Sequence, residues 1–269
     1  MTTTEERIEV EEPMPTENQQ HNDNRQERKS RPGLKLLLIA GMCTAFLIPQ
    51  FLIRNLVRER QSTESDAETE VFAKWGGNQT LIGPFIELTY SSDSTSKERY
   101  TILLLPEKLD VKGDVSTKAL KRGIYDFTVY ETSLGLSGQF KLPKDFEKNM
   151  AGRVCHFESV NVIVSISNLK GLRDKVLLNL GGTKLDMEPN GNIWNGLSCA
   201  ADLSALLEGK AIDFSVTIPF KGSGNLMFAP LGQTTNVNLT SDCATPSFNG
   251  EYLPDERQVT NKGLQASWK

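Results

Sequence analysis

Three patterns of apolar and polar residues follow one another along the chain. From Leu36 to Ile53, "LLLIAGMCTAFLIPQFLI", no position is charged. At 1.5 Å per helical residue this run spans about 27 Å, close to the ~30 Å hydrocarbon thickness of a bilayer. It predicts a transmembrane helix over 34–57, with Lys35 and Arg54 able to snorkel at its ends. Pro49 would break a soluble helix but is tolerated in a membrane span.

In "IRNLVRERQSTESDAETEVFAKW" apolar or small residues recur at Ile53, Leu56, Val57, Ala67, Val71, Phe72 and Trp75, with polar residues around the rest and no Gly or Pro. The pattern predicts that the helix continues as a stalk over 58–77. Its last turns pack on the following domain, Trp75 acts as the anchor, and Gly76 and Gly77 end the helix by taking positive φ. Leu81, Ile82 and Phe85 are the nearest candidates to receive the indole.

Beyond Gly77 the period changes from helical to two-residue. "QTLIGPFIELTY", "RYTILLLPEKL", "IYDFTVYET", "SVNVIVSISN", "KVLLNLGG" and "AIDFSVTIPF" are rich in β-branched and aromatic residues and are separated by turn clusters. Without crossover helices such strands do not build a parallel sheet. The expected fold over 78–269 is a mainly β, antiparallel domain of two packed sheets. "PKDFEKNM" and "CAADLSALLEG" are the two candidates for short helices. "DFTVYETSLGLSG" at Asp126 echoes "DFSVTIPFKGSG" at Asp213, which is either a duplicated hairpin or turn chemistry used twice.

The first 33 residues carry no apolar periodicity. Met1 to Asn24 holds seven acidic side chains and one arginine, the composition of a disordered tail. Arg25, Arg28, Lys29, Arg31 and Lys35 precede the span and Arg54, Arg58 and Arg60 follow it. The positive-inside rule therefore puts the N-terminus in the cytoplasm and the β-domain across the membrane. The net charge of -4 with no basic domain argues against nucleic-acid binding.

Candidate chemistry is sparse. Nucleophile elbows, HExxH, Walker loops and paired CxxC are absent, and only His21 and His156 could serve histidine chemistry. His156 lies beside Cys155, but adjacent strand residues face opposite ways. "PDERQ" places Asp255, Glu256 and Arg257 together, read as a solvated turn with a local ion pair rather than an acid-base pair. Cys43 lies in the span. Cys155, Cys199 and Cys243 either form one disulfide or remain reduced core residues. The reading is a non-enzyme without cofactor, metal or catalytic residues, with the lipid bilayer as its partner.

"LIPQFLIRNLVRERQ", "WGGNQTLIGPFIEL" and "GSGNLMFAPLGQTTNVNLTSDCATPSFNGEYLPDERQVTNKGLQASW" resemble the CreD family of bacterial inner-membrane proteins, associated with cell-envelope integrity and colicin tolerance. The resemblance rests on Trp75, Gly76, Gly77, Gly83 and Pro84 at the seam. At the end of the chain it rests on Ser223, Gly224, Pro246, Phe248, Gly250, Leu253, Pro254, Arg257, Gly263 and Trp268. Cys243 and Leu264 depart from the pattern, which tends to have tryptophan and phenylalanine there. The resemblance implies an inner-membrane location, a periplasmic domain, other envelope proteins as partners, a role in envelope integrity or stress response and no established enzymatic activity. It also implies a bundle of further hydrophobic helices after such a domain. The chain is therefore either a fragment or a short form, and the reading frame is expected to continue past Lys269. The alternative function is an envelope enzyme or transporter subunit whose active residues lie in that bundle.

Overall fold

The computed structural model describes residues 32–91, 98–143, 146, 156–191 and 194–269. The proposed tail and His21 therefore lie outside the described residues, as do Cys155 and most of "PKDFEKNM". The chain divides between Val57 and Arg58 into two units. Helix α1, Pro32–Trp75, runs without interruption through the uncharged stretch, and Pro49 lies inside it. It begins two residues before Leu34 because Pro is well suited to a first helical position, where its missing N–H is not needed. The apolar side chains from Leu34 to Val57 are exposed, as a lipid-facing surface requires. Among the described residues α1 is the one helix long and apolar enough to cross a membrane.

The second unit contains thirteen strands among the described residues. They are β1 Gln79–Ser91, β2 Arg99–Leu104, β3 Lys108–Arg122, β4 Tyr125–Phe140, β5 His156–Ile166, β6 Val176–Leu180 and β7 Thr183–Asn190. β8 Gly196–Ala200, β9 Ile212–Ser223, β10 Leu226–Phe228, β11 Thr234–Ser241, β12 Glu256–Thr260 and β13 Gly263–Trp268 follow. A 3-10 turn, Leu169–Gly171, precedes β6, and the short helix α2, Ser204–Leu207, precedes β9.

These strands form one continuous path, β10-β1-β5-β8-β7-β6-β9-β4-β3-β11-β13-β12, with β2 also paired to β1. The two layers meet in β7, whose first half, Thr183–Met187, pairs with β6 and whose second half, Glu188–Asn190, pairs with β8. Buried side chains of β1, β5 and β8 share one core with those of β3, β4, β6 and β9, so the sheet doubles back on itself. Alternation builds this core directly. In β9, Ile212, Phe214, Val216, Ile218 and Phe220 point inward and the residues between them outward. The Phe140 and Phe214 rings lie 4.7 Å apart within it.

Pairing is antiparallel except for β1 with β10 and β3 with β11, which are parallel. β11 follows β10 after only the five residues 229–233, yet pairs with β3 far along the path, which a periodicity argument does not detect. "RYTILLLPEKL" contains the whole of β2 and the start of β3, because Pro106 falls between them. The Asp126 and Asp213 segments are neighbours, β4 pairing antiparallel with β9 along their length. Ser137 and Gly138 lie inside an unbroken strand, whereas Ser223 and Gly224 end one, so the echo is not a repeated hairpin.

Candidate functional site

The last turns of α1 are where the sequence and the β-domain meet. Ala67, Val71, Phe72 and Trp75, the apolar positions of the stalk, are half-buried while their neighbours are exposed. Phe72 sets its ring edge-on to Phe127 of β4 at 6.4 Å. Glu70 accepts both a bond from Lys74 and bonds from Arg122 at the end of β3, at 3.0 and 2.8 Å. The Lys74 hydrogen bond and the charge of Arg122 hold the Glu70 carboxyl below its ordinary range.

The helix ends as its glycines dictate. The amide of Gly77 donates to the Phe72 carbonyl at 2.8 Å, the six-to-one bond of a Schellman cap, with Gly76 at φ +92°. A Cβ on Gly76 would stand 2.9 Å from the carbonyl oxygen of Lys221 and 3.0 Å from the Cα of Gly171. The backbone then crosses β9, where Ser223 N donates to Gly77 O at 2.9 Å. Trp75 is half-buried, and its ring carries the Lys221 ammonium 5.3 Å from its centroid. Two of the three residues expected to receive the indole are engaged elsewhere. Leu81 lies in the core and Phe85 sets its ring edge-on to Trp194. The strand leaves the seam at once to pair with β5, so the helix end faces β9 instead.

Gln79 closes the junction from inside. It is fully buried, and its amide donates to Gly76 O at 3.0 Å and to Asn168 O at 3.1 Å. Ser167 Oγ donates to Gln79 Oε1 at 3.3 Å. Asn225 O accepts from Gln79 N and from the buried Tyr130 hydroxyl, and Asn225 N donates to Asn78 Oδ1 at 2.9 Å. Burial pushes the Tyr130 pKa up, so it remains a neutral donor. Ser223 is also buried, but its hydroxyl has no partner. Asn78, Gln79, Ser167, Lys221 and Asn225 are members of this site that sequence reading missed. The one available signal was a glutamine opening an otherwise apolar strand.

The structure thus joins Trp75, Gly76, Gly77, Ser223 and Gly224. Gly83 and Pro84 form a separate feature, an irregularity in β1 between Ile82 and Phe85 where the register against β5 shifts. The C-terminal motif residues gather four strands away, at β13. Trp268 meets the Phe248 ring at 6.0 Å, and its indole N–H donates to Tyr252 O at 3.3 Å. Pro246, Gly250, Leu253 and Pro254 lie in the irregular segment around these contacts, with Leu253 exposed. Arg257 is exposed on β12 opposite Ala266, and Gly263 starts β13. Asp255 accepts from the backbone N–H of Lys269, while Glu256 pairs with the Lys269 side chain at 3.4 Å. The local ion pair is therefore made with Lys269.

Cys199 is buried in β8, and burial pushes its thiol up to about 11. Neither it nor Cys243 is in a disulfide. His156 begins β5 opposite Ser91. No metal-holding group of three His, Cys, Asp or Glu side chains occurs among the described residues.

Comparison with known proteins agrees with this arrangement of one span and a β-domain. The family model described as "Inner membrane protein CreD" matches residues 31–269. The inner membrane protein CreD of Escherichia coli (strain K12) is 28% identical over 248 residues, covering 87% of this chain and 54% of that protein. The chain thus spans about half the length of the curated relative it matches. With a match running from just before the span to its last residue, the chain belongs to the CreD family of inner membrane proteins.

Proposed function

We propose that the chain is a non-enzymatic protein that contributes to cell-envelope integrity through contacts of its β-domain with other envelope proteins. Its N-terminus lies in the cytoplasm and the domain from Trp75 onward in the periplasm. The heavier basic flank before the span supports this orientation. The observation that carries the reading is the fastening of the helix end, in which the Gly76 and Gly77 cap, Gln79 and Asn225 bind α1 to β1, β9 and β10. Such a junction suits a protein that must hold a folded module at a membrane.

Two experiments test the reading. Alkaline phosphatase fused after Gly250 should be active and after Asn24 inactive, and the reverse pattern overturns the orientation. In cells depending on this protein, Gly76→Val should restore detergent sensitivity at unchanged membrane levels. Full protection by that variant would remove the fastened helix end from the function.

A further inference from the structure

The sheet path ends at β12, whose far edge carries no strand among the described residues. Edge strands are commonly blunted by proline, a bulge or lysine. β12 has none of these between Glu256 and Thr260, and its five residues pair with β13 in unbroken register. Val259, a good strand former, is 47% exposed there, and the two charges of the strand, Glu256 and Arg257, are of opposite sign.

The hairpin turn decides which backbone groups this edge offers. Thr260 and Gly263 flank the turn residues Asn261 and Lys262 and are paired, so they exchange both of their N–H···O bonds. Alternation along the strand then turns the backbone groups of Thr260, Gln258 and Glu256 toward β13 and those of Arg257 and Val259 outward.

An antiparallel copy of the same strand satisfies these groups as a set. With Gln258 on a two-fold axis, Arg257 of each copy faces Val259 of the other, and each such pair exchanges both backbone bonds. Every residue of β12 has a counterpart in this register, since Glu256 faces Thr260 and Gln258 faces itself. No like charges meet across the strands. The residue on the axis is an amide, which donates to and accepts from its own copy where a carboxylate or an ammonium would repel it. Gln265 already stands beside Gln258, so the pairing continues a row of glutamines from one hairpin into the other. Sliding the register by two residues one way sets Arg257 against Arg257, and the other way runs strand residues against the turn.

We propose that two copies of this chain join edge to edge through β12, antiparallel and with Gln258 on the two-fold axis. The pairing extends one sheet through both domains and covers Val259. It is independent of the role in envelope integrity, because the test reads pairing and not protection of cells.

The test uses the full chain in membrane vesicles under mild oxidation, with disulfide-linked dimer read on non-reducing gels against the parent and its own cysteines. Gln258→Cys places two thiols in a non-hydrogen-bonded pair with Cα atoms ~4.5 Å apart, inside the ~4.4–6.8 Å that a disulfide spans. Thr260→Cys is the matched control, because the same register separates its two copies by about 13 Å along the strand at ~3.3 Å per residue. Dimer should exceed the parent's several-fold at 258 and stay at the parent's level at 260. Adding Val259→Pro to Gln258→Cys should abolish the excess. Proline removes an outward N–H and leaves the bonds to β13 in place, so thermal unfolding should be unchanged. Dimer at 258 no greater than at 260 overturns the proposal, the result expected of an edge that is free or held by another protein, and this comparison stands without the proline variant. An excess at 258 that survives Val259→Pro overturns it as well, because thiols that meet by collision do not need the backbone bond.

Discussion

The amide of Gly77 and the carbonyl of Phe72, 2.8 Å apart, fix the direction in which the chain leaves its membrane helix. Because Gly77 O then accepts from Ser223 N, one residue both ends the helix and docks it. The two glycines that make this possible are not equivalent. Gly76 combines φ +92° with a backbone oxygen where a Cβ would stand, while Gly77 at φ +66° has its nearest neighbour at 4.0 Å. Gly76→Ala should cost at least ~2 kcal/mol and Gly77→Ala about 1 kcal/mol. Urea unfolding of the two variants checks the order.

Gln79→Leu should be among the most damaging single changes in the domain. It strips the donors from two carbonyls, Gly76 O and Asn168 O, in a buried place that water cannot readily enter. A cost of roughly 2–3 kcal/mol is expected. Equal stability of Gln79→Leu and the parent in urea would show that the amide is dispensable.

Ser223→Ala should behave in the opposite way although Ser223 is equally buried. Its hydroxyl already lacks a partner, so removing it relieves a desolvated polar group without opening a large space. The expected change is within about 0.5 kcal/mol of zero or stabilising, measured by thermal unfolding.

Trp75→Ala should cost about 1–2 kcal/mol, less than a fully buried tryptophan, because the ring is half-exposed and part of its contribution is the Lys221 ammonium. A double-mutant cycle with Lys221→Met isolates that pair. No coupling between the two positions would remove Lys221 from the anchor.

Glu131 predicts a pH dependence. Burial raises its pKa, but the hydrogen bond from Lys118 and the charge of Arg173 outweigh that and leave it below the ordinary 4.5. A carboxyl depressed in the folded state contributes stability that is present above the unfolded value and lost as pH falls through the lower folded value. The stability difference between the parent and Glu131→Gln should therefore be constant at neutral pH and shrink below about 4.5. Urea midpoints taken from pH 7 downward test this.

The long-range wiring was the part of the fold that sequence could not supply. The uncharged run, the i,i+4 stripe of Ala67, Val71 and Trp75, and the inward alternation of β9 are local patterns, and each appears in the structure where periodicity put it. β7 was missed because Asp186, Pro189 and Asn190 hide its strand character, and β12 because all five of its residues are exposed. Of the seam, Trp75 and the two glycines were legible, since a helix stop is a local event. Their partners Lys221, Ser223 and Asn225 are brought in by β9 and the turn after it, and no local pattern connects them to Gln79.

Asn78 and Asn225, bonded to each other, are 147 residues apart. At ~5–20 residues per second a ribosome takes on the order of ten to thirty seconds to make that stretch. The helix is thus complete long before the strands that fasten it exist. During that interval Phe72 and Trp75 wait in solution beside a membrane already holding their own helix. The junction cannot close until β9 and the turn after it have been made, and a nascent protein stalled before β9 would have a span whose helix end is not yet fastened.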